Sequence, residues 1–209
     1  MKLKMDKLKL SIKRNKKILV FLTALGIIGI ITGSIFNIML NENDKLLVSD
    51  YITNFFENIR NNTIDNISAL KNGLISEISY VLIIWLFGIS IIGIPISLFM
   101  YFSKFFVLGF SISSIISNYG FKGCLLSLSY IFPHKIINII IYTILTLFTL
   151  KVSGKILYTI IRKEKLDFKP VLNKYLLILL ISIGTIIFAT LFEAFITPII
   201  IKIFIPIIS

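Results

Sequence analysis

The chain is poor in the residues on which soluble enzymes and disulfide-stabilised proteins depend. Its 209 residues include one Cys and one His. Cys124 therefore cannot form an internal disulfide, and it could build a zinc site or a Cys/His nucleophile pair with His134 only through unusual partners. The Walker A, H-E-x-x-H and G-x-S-x-G motifs are all absent from the sequence. We therefore predict a protein that is not an enzyme and that uses no cofactor or metal.

Charge is also scarce. Only 15% of the residues are charged and 56% are hydrophobic, whereas soluble domains average about 25% and 45–50%. The net charge of +12 comes mainly from a basic arm at 1–17 and a basic segment at 162–174. Both segments flank apolar runs, where the positive-inside rule and anionic headgroups explain them. We therefore expect membrane lipids as partners, and no nucleic acid.

Long apolar runs are what the sequence has in abundance. The first, 18–40, would rise about 35 Å as a helix, which exceeds the roughly 30 Å of a hydrocarbon core. It is longer than the apolar core of a signal peptide, so we predict a retained anchor. The basic residues in front of it predict a cytoplasmic N-terminus.

Four later runs predict four more spans, and therefore an all-α integral membrane protein with about five transmembrane helices and its C-terminus outside. Pro95 should kink the second of the five spans, 78–102. The polar segment between the first two spans should form an outer loop carrying an amphipathic helix around Tyr51 to Ile59. The predicted segments are the outer loop 41–77, the second span 78–102, a third region 105–132, the fourth span 136–161, the cytoplasmic loop 162–174 and the fifth span 175–201.

The third region, 105–132, is broken by polar residues and glycines at 118–123. One interpretation is a span followed by a short interfacial helix, and the other is a re-entrant hairpin. The first interpretation leaves the basic segment 162–174 in the cytoplasm and is therefore preferred.

Glu193 is the candidate functional residue that the fifth span offers, because ionisable side chains in spanning helices are costly. It lies about 27 Å from Tyr175 along a helix, which places it near the outer interface and leaves no charge at the midplane. Lys122, His134, Lys135 and Asn138 should lie at a similar height. We hypothesise an outward-facing polar rim made of Glu193, Lys122, His134 and Asn138, and the alternative is that each simply contacts lipid headgroups.

Small residues form a stripe on the first span. Gly26, Gly29 and Gly33 recur at helical spacing and permit close approach of a second helix. That helix could belong to this chain or to a second copy, so both internal packing and self-association are open.

Several motifs occur in an order that resembles the stage II sporulation protein M family of endospore-forming Firmicutes. The Ile-, Asn- and Lys-rich composition is consistent with a clostridial member. The resemblance covers the chain from its basic arm to its C-terminus. The motifs are WLFGISIIGIP at 85–95, VLGF at 107–110, YGFKG at 119–123, FP at 132–133 and FEAFITP at 192–198.

The resemblance implies a non-enzymatic membrane component of the engulfment machinery. Family members act with stage II sporulation proteins D and P, which remodel peptidoglycan, at the mother-cell septal or engulfing membrane. Relatives in the broader superfamily carry Pro-His-Gly followed shortly by Glu, whereas Lys135 and Asn138 follow His134 here. The opposing hypothesis is a small transporter or channel-like protein, against which we count the missing inverted repeat and the missing midplane charge.

Overall fold

The computed structural model describes residues 2–131, 134–163 and 168–204. These ranges contain helices and no strand. Met1, residues 164–167 of the predicted cytoplasmic loop, residue 132 of the predicted third region and the C-terminal residues 205–209 lie outside them. The helices are α1 (Lys2–Met39), α2 (Glu42–Arg60), α3 (Asn66–Gly88), α4 (Gly93–Ile131), α5 (His134–Arg162), α6 (Phe168–Phe195) and α7 (Thr197–Phe204).

Five of these helices are long and apolar enough to cross a membrane, which confirms the predicted all-α, five-span architecture. Helices α1, α4 and α6 run in one direction, and α3 and α5 run in the other. We call the end of the bundle at which α1 and α6 finish the distal end, and the opposite end the proximal end. The prediction that the N-terminus is cytoplasmic makes the distal end the outer one.

The second span differs from the predicted 78–102, because the chain turns at 89–92. Helix α3 ends at Gly88, and the Gly93 amide donates to the Ser90 carbonyl as α4 begins. Pro95 therefore lies in the first turn of α4, where its missing N–H costs no intrahelical bond, and it does not kink a span. Residues 66–77, which we expected in the outer loop, form the first half of α3.

Polar caps fix the starts of the two helices that follow α1. The Asn41 side chain accepts a hydrogen bond from the Asp44 amide at 2.8 Å and caps α2. Asp65 caps α3 by accepting from the Ser68 hydroxyl at 2.6 Å and from the Ile67 and Ser68 amides. These hydrogen bonds, the one from the Ser68 hydroxyl above all, hold the pKa of the Asp65 carboxyl below its usual range.

The amphipathic helix predicted in the outer loop is confirmed as α2. Its side chains Phe56 and Ile59 are buried at the distal end of the bundle. They pack with Ile115, Leu126 and Ile201, and we call this set of five the distal apolar cluster. Helix α2 is thereby fixed to the ends of α4 and α7 rather than crossing the bundle.

Helix α4 is broken at Gly120, inside the predicted third region. Gly120 has φ 58° and ψ −139°, a left-handed conformation that favours glycine. Beyond it the chain folds back, since a Cβ placed on Gly123 would lie 2.9 Å from the Cα of Ile116, whereas seven residues of straight helix span about 10 Å. The described part of the predicted third region, 105–131, is therefore the distal part of a full-length span followed by a short helix that doubles back on its end.

The boundaries of the fifth span also differ from the predicted ones. Helix α6 begins at Phe168, so residues 168–174 are helical and Pro170 lies in the first turn rather than closing a loop. The fifth span ends at Phe195, and α7 begins at Thr197, so the predicted run 175–201 is divided at Ile196.

The glycine stripe of α1 is filled by α4. A Cβ on Gly29 would lie 2.9 Å from the Cβ of Phe105, and a Cβ on Gly33 would overlap the Phe106 carbonyl. A Cβ on Gly26 would meet the same Phe105 ring at 2.8 Å. The structure thus uses all three glycines for packing within the chain, where only the missing side chains let α1 and α4 lie so close.

Candidate functional site

An ion pair lies at mid-height in the bundle. Glu77 lies halfway along α3, about 16 Å from either end of the helix. Lys104 lies the same distance from the start of α4. The Lys104 ammonium donates to Glu77 Oε2 at 2.8 Å, and the Tyr142 hydroxyl of α5 donates to the same oxygen. Three spans therefore supply one charged cluster, which we call the central ion pair.

Aromatic rings surround the Lys104 ammonium. Its Nζ lies 4.6 Å from the centroid of the Tyr80 ring and 5.5 Å from that of Tyr142, distances at which the negative ring faces attract a cation. The Tyr80 hydroxyl is itself held by donating to the Met100 carbonyl at 3.1 Å. The rings and the carboxylate together offset part of the cost of keeping a charge inside a membrane bundle.

A second polar cluster lies at the distal end. Glu193 Oε1 is 2.9 Å from Lys135 Nζ and 3.4 Å from His134 Nε2. The Thr197 hydroxyl lies 3.1 Å from His134 Nδ1. The structure therefore brings Glu193 and His134 together, while Lys122, which we also expected there, is exposed on the short helix after Gly120.

Asn138 lies between the two clusters. It is 2% exposed, and both polar atoms of its amide lack a hydrogen-bond partner within the described residues. It lines a cavity of about 140 Å³ between α4 and α5 that joins the two clusters. The polar side chains lining this cavity are Glu77, Lys104, Ser111, Lys135, Asn138 and Tyr142.

Both clusters contact a polar stripe on α5 that runs from His134 to Ser153. Its members recur every third or fourth residue and so share one helical face. Near the proximal end, the Thr149 hydroxyl lies 2.8 Å from that of Tyr175, and Ser153 donates to the Gly88 carbonyl at 2.9 Å. The stripe consists of His134, Asn138, Tyr142, Thr146, Thr149 and Ser153, all of them buried.

The central ion pair corrects the expectation that no charge lies at the midplane. The predicted boundaries placed Glu77 in the outer loop and Lys104 just after the second span. Both are inside the bundle because the chain turns at 89–92. The sequence did carry a signal for this interior, since the polar residues of α5 appear at helical spacing inside an apolar run.

The described residues contain no group of three or more side chains placed to hold a metal ion. Five apolar helices around a charge-paired interior define a multi-pass helical membrane protein. The family model of stage II sporulation protein M matches residues 18–198, and the chain belongs to this family. It is therefore a sporulation-related membrane protein. No curated protein and no solved structure matches the chain significantly.

Proposed function

We propose that the chain is a membrane scaffold of the engulfment machinery. It recruits or stabilises stage II sporulation proteins D and P at the mother-cell septal or engulfing membrane, without catalysing a reaction itself. The observation that carries this proposal is the family match over 18–198. Septal thinning and membrane migration would then depend on where this bundle holds its partners.

Helix α2 provides a physical basis for docking. Its Phe56 and Ile59 belong to the distal apolar cluster, while Leu47 and Tyr51, nearer the start of the helix, are 67% and 78% exposed. An apolar groove of about 410 Å³ runs between α2 and the distal part of α4. A groove of this kind accepts apolar side chains of a partner segment at the membrane surface. This surface supports a scaffold with little mass outside the membrane.

Co-purification from sporulating cells tests the proposal. The wild-type chain should recover peptidoglycan hydrolases, and a Leu47→Ala/Tyr51→Ala variant should recover less while reaching the same membrane level. Ile67→Ala is the matched control, because Ile67 is 73% exposed at the distal start of α3 but lies outside the groove. Failure of the wild-type chain to recover any hydrolase would contradict the scaffold role.

A small transporter or channel-like protein is the second candidate, and the central ion pair favours it. Intramembrane charges mark ion and proton pathways in many transporters. Proteoliposomes holding the purified chain should then show solute or ion flux that Glu77→Gln abolishes and Ile67→Ala preserves. A scaffold predicts no flux in either the wild-type chain or the variants.

A further inference from the structure

The buried amide of Asn138 needs an explanation. Its two polar atoms have no partner among the described residues, although the side chain is 2% exposed. Buried polar groups in folded proteins are nearly always hydrogen-bonded to protein or to ordered water. Asn138 also lines the α4–α5 cavity, which makes water in that cavity a candidate partner for its amide.

The size and lining of the cavity suit water. It extends from Tyr142 at mid-height to Lys135 in the first turn of α5, about 10 Å along the helix. Its volume of about 140 Å³ has room for roughly four water molecules at about 30 Å³ each. Two ammonium groups, a carboxylate, two hydroxyls and an amide line it, which gives each water the two to four polar partners that it requires.

The charged side chains open into the same space. Lys104 and Lys135 are 26% and 21% exposed, and Glu77 is 12% exposed. An ammonium exposed to lipid at mid-height would be costly, whereas one facing water would not. We propose that the α4–α5 cavity is a water-filled vestibule that opens at the distal end and reaches the central ion pair.

The vestibule is closed on the proximal side. No member of the α5 stripe beyond Tyr142 lines the cavity. The hydroxyls of Thr149 and Ser153 are engaged by Tyr175 and by the Gly88 carbonyl. The geometry therefore gives one-sided access to mid-height and no continuous pore. The proposed vestibule rests only on the residues that line the cavity, so it is compatible with a scaffold as well as with a transporter.

Cysteine accessibility tests the vestibule. In a Cys124→Ser background, single cysteines replace Ser111 and Asn138, and proteoliposomes of known orientation are treated with membrane-impermeant methanethiosulfonates. Both cysteines should react from the distal side only, because thiolates form in water and not in hydrocarbon. Cationic and anionic reagents are both used, since the lining lysines repel the cation.

Two control cysteines define the reactivity expected in water and in lipid. Phe121→Cys, at a position 90% exposed on the distal short helix, should react from the distal side. Leu180→Cys, at a position 68% exposed in the middle of α6, should stay unreactive in lipid. If Ser111→Cys and Asn138→Cys stay unreactive while Phe121→Cys reacts, or if they react from the proximal side, the proposal is overturned. Ser111 also borders the α2–α4 groove, so should Asn138→Cys not fold, Leu108→Cys, which lines the cavity and not the groove, takes its place and decides.

Discussion

Removing Lys104 should strongly destabilise the bundle. Lys104→Met leaves the Glu77 carboxylate at mid-height with only the Tyr142 hydroxyl as a described donor. Breaking a buried ion pair on one side costs roughly 3–5 kcal/mol. The two side chains remain 26% and 12% exposed, so we expect the lower end of that range, about 3 kcal/mol of unfolding free energy.

The double variant separates charge loss from lost packing. Glu77→Gln should also lower the unfolding free energy alone, because the Lys104 ammonium loses its carboxylate partner. Combined with Lys104→Met it removes both charges, so the double variant should be more stable than either single one. The free energy of unfolding is measured by titrating purified protein in mixed micelles with sodium dodecyl sulfate and following helical circular dichroism.

The same substitution at an exposed lysine is the control. Lys202 donates to the Asn62 side chain at 2.6 Å on the surface, and Lys202→Met should change the unfolding free energy by no more than about 0.5 kcal/mol. Additive losses in the Glu77/Lys104 double variant would refute the assignment of a coupled central ion pair. So would a loss at Lys104 no larger than that at Lys202.

Three further predictions concern the α1–α4 contact, the cavity and the α3 cap. Gly33→Ala should cost about 2 kcal/mol of unfolding free energy because its Cβ overlaps α4, whereas Gly184→Ala, facing open space, should be neutral or stabilising; equal effects would contradict this contact. Asn138→Leu should lower the unfolding free energy by about 1 kcal/mol by displacing bound water, and a gain in stability would indicate a dry cavity. Because the pKa of Asp65 is lowered, its cap stabilises the fold above the pKa of the unfolded state, and that contribution is lost as the pH falls through the folded value. Asp65→Asn caps without titrating, so it should remove this part of the acid dependence, and an unchanged acid profile would show that the cap does not couple to folding.

The architecture was predictable because hydropathy records the spans directly. The apolar runs established five spans, and the break at 118–123 was visible from its glycines. The turn at 89–92 was not, because it is built largely from isoleucine and does not interrupt the apolar run. Gly88, Gly93 and Pro95 mark that turn, but the same residues also occur at kinks inside spans.

The central ion pair was missed because the turn at 89–92 was not predicted. The predicted second span, 78–102, is displaced from α3 by 12 residues at its start and 14 at its end, and a shift of this size moves a charge by roughly 20 Å along a helix. It therefore converted Glu77 and Lys104 from interfacial residues into a buried pair. Glu193 and His134 were both predicted at the distal end and do meet there, because the start of α5 was placed within two residues and the end of α6 within six. Lys135 pairs with Glu193, as its predicted height allows, whereas Lys122 lies on the short helix after Gly120. The chain doubles back at that point, which spacing along a straight helix does not reveal.

The packing of α1 on α4 has a consequence for biogenesis. Helix α1 is made first, yet the partner that fills its glycine stripe and satisfies Asn37 through Ser113 and Ser114 is the third span to emerge. Until about residue 115 has left the ribosome, the Asn37 amide and the stripe face lipid or the insertion machinery instead. The polar side chain and the glycine stripe of α1 are therefore matched only once α4 is inserted, so the α1–α4 pair can form only after three spans have been made.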